Sequence, residues 1–145
     1  MSMGNNSENG LLNLLFKNTA WAGIGDAGGL QPSASAGSFY ARLHTADPGE
    51  AGTGSTSEVS YTGYAPVAIA RGAAFTVTGN QVSNTNTVQF GECTAGSSTA
   101  THFSICVGSG AGADILYSGS LAATRNISAG ITPLFNPGQL AGTVD

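Results

Sequence analysis

The stretch Thr101-His102-Phe103-Ser104-Ile105-Cys106-Val107 decides the fold class. Successive side chains of an extended chain point to opposite sides, so Phe103, Ile105 and Val107 share one face and His102, Ser104 and Cys106 the other. A glycine-rich turn, residues 108–112, follows at once. The same texture continues toward both ends. Residues 38–45 set Phe39, Ala41 and Leu43 against Tyr40 and Arg42, until Asp47-Pro48-Gly49 breaks the strand. Further strands are predicted at 64–70, 74–78, 81–90, 115–121, 126–127 and 142–144, divided by turn residues such as Gly79-Asn80. Many short, evenly spaced strands predict an all-β fold, an antiparallel β-sandwich or jelly-roll-like domain. No repeat at a fixed period points to a solenoid or propeller.

One helix is predicted, over residues 7–19. Leu11, Leu14 and Leu15 form a face that Leu12 and Phe16 extend, with Ser7 as N-cap and Glu8 in the first turn. Gly10 weakens this helix by about 1 kcal/mol. Because its apolar residues run nearly all round, the helix should be buried, under its own sheet or in a neighbour. Residues 22–37 are too often punctuated by Gly and Pro for a regular element. The expected organisation is a single domain over 1–145, with an N-terminal arm and helix (1–21), a Gly-rich loop (22–37) and a β domain (38–145).

A chain of 145 residues can bury a core without metals or disulfides. Its surface is unusual: charged residues make up 8% of the chain, against about a quarter in ordinary domains, and there are 22 glycines. Surface polarity must come from neutral Ser, Thr and Asn, so little repulsion keeps copies apart. The 41% hydrophobic content argues for a folded chain rather than a disordered one. A net charge of −4 offers no footprint for phosphate backbones, so no nucleic-acid partner is expected. The best apolar run, residues 11–16, falls far short of the roughly 18 residues of a membrane span. It also lacks the basic flank of a signal peptide, so synthesis in a bacterial host cytoplasm and no membrane partner are expected. Cys93 and Cys106 are then expected as buried free thiols.

Enzymatic signatures fail on context. Residues 23–28, Gly-Ile-Gly-Asp-Ala-Gly, spell the dinucleotide fingerprint, but no strand precedes them and no helix opens after them. A hydrolase assembled from His102, Ser104 and Glu92 has no Gly-x-Ser-x-Gly elbow to support it. The spacing of Cys93 and Cys106 does not suit structural zinc, and the acids fall singly in turns rather than in a calcium loop. No catalytic residue, cofactor or metal is expected.

The order of fragments resembles a family of small tailed-bacteriophage virion proteins. The fragments are Leu43-His44-Thr45-Ala46-Asp47-Pro48-Gly49, Glu58-Val59, Gly63-Tyr64-Ala65, Thr101-His102-Phe103, Leu116-Tyr117-Ser118-Gly119 and Ala129-Gly130-Ile131-Thr132-Pro133, after a Leu-rich helix. Such proteins are often labelled tail fibre protein, and some look like capsid decoration proteins. The resemblance implies a structural role with no catalytic residues. The chain departs from the family pattern at residues 22–37, which run long, and at Pro66, where a basic residue is expected.

The leading expectation is a capsid decoration, or cement, protein on the outside of the major capsid shell. Its partners would be the major capsid protein and other copies of itself, as a dimer or trimer. A tail or tail-fibre component is the alternative. A receptor- or carbohydrate-binding module using Trp21, Tyr40, Tyr61 or Tyr64 is a third reading. The partner surface is expected on the termini and residues 22–37, with Leu11, Leu12, Leu15, Phe16, Trp21, Ile24 and Leu30 as the contact residues.

Overall fold

A computed structural model describes residues 2–144. Helix α1 (Asn5–Lys17) is followed by β1 (Ser38–His44), β2 (Val67–Ala70), β3 (Phe75–Thr78), β4 (Gln81–Asn84), β5 (Val88–Gln89), β6 (Ser97–Cys106), β7 (Ile115–Ser128), β8 (Leu134–Phe135) and β9 (Ala141–Thr143). The fold is all-β with one short helix, as the alternating runs predict. Its contacts gather into two units. One comprises Met1–Gly37, Ala70–Thr87 and Phe135–Asp145, the other Ser38–Ile69 and Val88–Leu134.

In the first unit, α1 packs on β3 and β4 of the sheet β3-β4-β9. The helix starts earlier than predicted: Gly4 is the N-cap and makes no side-chain cap bond, while Ser7 sits within the first turn. The buried stripe is Glu8, Leu12 and Phe16, and Leu11, Leu14 and Leu15 are only half-buried. The predicted leading face is therefore rotated. The cause is tertiary, since Phe16 meets the Phe75 ring edge-on at 4.9 Å.

The helix ends at Asn18, held left-handed at φ 54°, with Thr19 N–H closing on Asn13 O at 3.1 Å in a Schellman-like turn. Its last carbonyls are then capped from a distance. Arg71 donates Nη2 to Leu14 O at 2.7 Å and Nε to Leu15 O, and Gly72 N–H reaches Phe16 O at 2.7 Å. The same guanidinium holds Ala36 O and Ser33 Oγ through Nη1, which fastens the far end of the 22–37 loop.

The hairpin β3–β4 turns at Gly79-Asn80, as predicted, with Thr78 opposite Gln81. The predicted strand 81–90 is split. Buried Asn84 ends β4 by donating to Asn86 O (2.7 Å) and Asn136 O (3.0 Å) while accepting from Leu140 N–H (2.9 Å). A side chain that completes these bonds leaves the strand no reason to continue.

In the second unit the sheet runs β2-β1-β6-β7. β1 lies antiparallel to β6 with Arg42 opposite Ser104 and His44 opposite His102. β6 starts four residues earlier than predicted, and β7 joins the predicted strands 115–121 and 126–127 across an irregularity in the β6 pairing. β1 is not the half-buried strand that its alternation suggests, because Arg42 and His44 are as buried as Ala41 and Leu43. Tyr61, Tyr64 and Phe90 add an aromatic cluster, with Tyr61 edge-on to Tyr64 at 5.4 Å and Tyr64 stacked on Phe90 at 5.9 Å.

Candidate interaction surface and the buried polar cluster

The residues expected to meet a partner all lie in the first unit. Met3, Ser7, Trp21, Ala22, Gly23 and Ile24 line an open cleft of about 470 Å³. Trp21 pairs with Leu30 as an antiparallel bridge, bonding in both directions at 2.9 Å, so the loop folds back on itself. At the turn, Asp26 Oδ1 accepts from Gly28 and Gly29 N–H at 2.7 and 3.0 Å. Apolar side chains are thereby left outward: Met3 is 38% exposed, Ile24 37% and Leu30 45%.

Of the residues expected to meet a partner, Leu12 and Phe16 are fully buried and serve the unit's own core. Leu11, Leu15 and Trp21 are half-buried. Trp21 is a packing anchor, because a Cβ added at Gly10 would lie 2.7 Å from its indole ring. The glycine that looked like a helix defect is the seat of the tryptophan. Ile24 and Leu30, with Met3, remain on the surface.

The second unit holds a cluster that sequence reasoning did not assemble. Arg42 is 1% exposed. Its Nη1 donates to Glu58 Oε1 at 2.8 Å, and its Nη2 donates to the carbonyls of Ser109 (2.6 Å) and Gly110 (2.8 Å). Tyr64 Oη donates to the same Glu58 oxygen at 2.9 Å and accepts Leu43 N–H at 3.1 Å. Burial pushes the Tyr64 phenol far above its usual range, so it stays a donor. Gly54 lies flat against the guanidinium, where a Cβ would approach Arg42 Nε to 2.7 Å.

Beside it, His44 is fully buried. Its Nδ1 is 2.7 Å from Thr56 O, and a carbonyl can only accept, so this nitrogen carries the proton. Nε2 then accepts from Ser104 Oγ at 2.7 Å, and Ser104 Oγ in turn faces the Cys106 thiol at 3.3 Å. Burial holds the imidazole below its ordinary value and pushes the Cys106 thiol up, so both stay neutral. The signal was present in the strand register: residues 42 and 44 share a face with 104 and 106.

The residues singled out for chemistry are dispersed. Ser104 meets His44, not His102, whose Nδ1 turns to Thr101 Oγ1 at 2.9 Å. This pair has the contact distances of a nucleophile and its base, but both residues are 0% exposed. Residues 23–28 form turns and no helix follows them. Cys93 and Cys106 are buried and unbridged. Among the described residues no three His, Cys, Asp or Glu side chains gather as a metal site, and no helix is long and apolar enough to cross a membrane. Tyr61 is buried and Tyr64 half-buried, and their rings pack on each other and on Phe90.

A search of curated proteins returned no match. A family model does match: that of podophage GP4 fiber I protein gp80, over residues 2–143. Since this covers nearly the whole chain, the protein belongs to the podophage GP4 fiber I protein gp80 family, a family of tailed-phage virion proteins.

Proposed function

We propose that the protein is a non-catalytic surface component of a tailed-phage particle, a decoration protein that binds the outside of the major capsid shell. The observation that carries this reading is the exposure of three apolar side chains of the first unit, Met3, Ile24 and Leu30, on a chain with only 8% charged residues. Burying such side chains against a partner is favourable and meets no strong field of like charge. The acidic balance suits the exterior of a shell better than its DNA-facing side. Its partners on this reading are the major capsid protein and further copies of itself, as a dimer or trimer.

The family description favours a second reading, a tail-fibre component. Copy number separates the two, because shell symmetry repeats every decoration site while a tail organelle offers few. Quantitative mass spectrometry of purified virions should find the chain at abundance comparable to the major capsid protein, and emptied, tailless heads should retain it. A low copy number that disappears with the tails would establish the fibre reading instead.

A further inference from the structure

The buried cluster of the second unit does something its core does not require: it fastens a surface segment. Residues 53–59 are tied to β1 by Thr45 N–H to Ser57 O (2.7 Å), Val59 N–H to Leu43 O (3.0 Å), His44 Nδ1 to Thr56 O and Arg42 to Glu58. This segment in turn holds the β6–β7 connection, through Gly54 N–H to Ala113 O (2.9 Å) and Ser55 N–H to Ala111 O (3.0 Å). Arg42 grips that connection directly at Ser109 and Gly110. Two connecting segments thus depend on one strand.

We propose that His44 is a proton-sensitive clasp, closed when its imidazole is neutral, whose protonation releases residues 53–59 and, with them, the β6–β7 connection. This goes beyond the assignment to a virion surface and holds for either location in the particle. The neutral ring has a complete set of partners, donating through Nδ1 and accepting through Nε2. A second proton makes Nε2 a donor, so Ser104 must reverse its hydroxyl toward Cys106 Sγ, a weaker acceptor. The new charge also sits on a fully buried side chain, and it must coexist with its neighbours. Burial opposes it most, and Arg42 on the same strand and His102 on β6 add to that. On the clasped segment Thr56 O, which still accepts from Nδ1, and Glu58, already shared by Arg42 and Tyr64, favour it without outweighing burial. The charge is therefore relieved by opening rather than by loss of the Thr56 bond. Cys106 stays a neutral thiol and Tyr64 a neutral phenol, so neither compensates. Opening returns the imidazole to water, where it binds a proton near its ordinary pKa of about 6.5.

Hydrogen exchange on the full chain at pH 7.5 and 5.5, corrected for intrinsic rates, tests this. If only the open form binds the proton, linkage raises the opening constant about tenfold over that interval. Residues 53–59 and 108–113 should exchange faster by that factor, and the β3–β4 hairpin should not. His44→Gln, which can still donate to Thr56 O and accept from Ser104, should keep the loops protected at pH 7.5 and abolish the pH response. Should that variant fail to fold, the imidazole resonances of the wild-type protein decide, since His44 and His102 are its only two histidines. His44 must then gain its proton in step with loop opening. Equal protection at both pH values, a response that survives His44→Gln, or loops that open while His44 stays neutral would each overturn the proposal.

Discussion

The residue that most constrains the second unit is Arg42, a charge withdrawn from water and compensated by one carboxylate and two carbonyls. Its Nε, among the described residues, is a buried polar atom without a hydrogen-bond partner, so the site has no slack. Removing one member of a buried pair costs about 3–5 kcal/mol, and Glu58, being 18% exposed in its side chain, should fall at or below the lower end of that range. Glu58→Gln should therefore lower the urea midpoint by roughly 2–3 kcal/mol of stability with an unchanged m value. His44 adds a pH dependence of definite sign. Its folded pKa lies below the unfolded one, so the unfolded chain binds more protons in acid, and stability present above about pH 6.5 is lost as pH falls. Urea midpoints measured from pH 8 to pH 5 should decline through that region in the wild type and less so in His44→Gln. Gly10 makes a third case. Alanine would gain about 1 kcal/mol of helix propensity, but its Cβ falls on the Trp21 ring, and overpacking costs about 1–3 kcal/mol. Gly10→Ala should be net destabilising and should shift the emission of the single tryptophan as the indole is displaced.

At the scale of elements, period and punctuation were enough to find the helix, the hairpin at Gly79-Asn80 and most strands. What they did not locate has a common cause, which is contact across the chain. Asn84 stops β4 through partners at 136 and 140, and Phe75 decides which side of α1 faces inward. An alternation of polar and apolar residues in β1 reads as half-buried because nothing local reveals that Glu58 and Thr56 cover its polar face. The candidate site was legible to the same extent. Ile24 and Leu30, named from an irregular, low-charge loop, are exposed, while Leu12 and Phe16 look identical in sequence to surface leucines and phenylalanines until β3 is placed beneath them. The cap on α1 yields a further test. Arg71 satisfies two terminal carbonyls that the helix cannot serve itself, and hydrogen bonds to charged groups contribute about 1.5–3 kcal/mol each. Arg71→Ala should lower stability by at least that amount and reduce the helical circular dichroism signal, and Arg71→Lys should restore only part, since an ammonium cannot fork.

For the whole molecule, the arm proposed to reach a partner is shorter than the sequence suggests, because α1 already begins at Asn5. Removing residues 1–10 would take away buried Glu8 and the first turns of α1, so a loss of particle binding would only report a damaged unit. Deleting residues 1–3, which spares the N-cap Gly4, or changing Ile24 and Leu30 to Ser, should weaken association with particles while leaving the thermal midpoint within a few degrees, as expected for surface changes of about ±0.5 kcal/mol. The pattern of cations has one more consequence. Of the four Lys and Arg residues, Lys17 holds Phe75 O, Arg71 holds the end of α1 and Arg42 lies inside its unit, leaving Arg125 exposed on β7. Trypsin must draw one of these side chains into its specificity pocket before it can cut. A native particle should therefore resist it at three of four sites and be nicked, if at all, between Arg125 and Asn126. The scarcity of cations that leaves the chain acidic also leaves trypsin-like proteases almost nothing to hold.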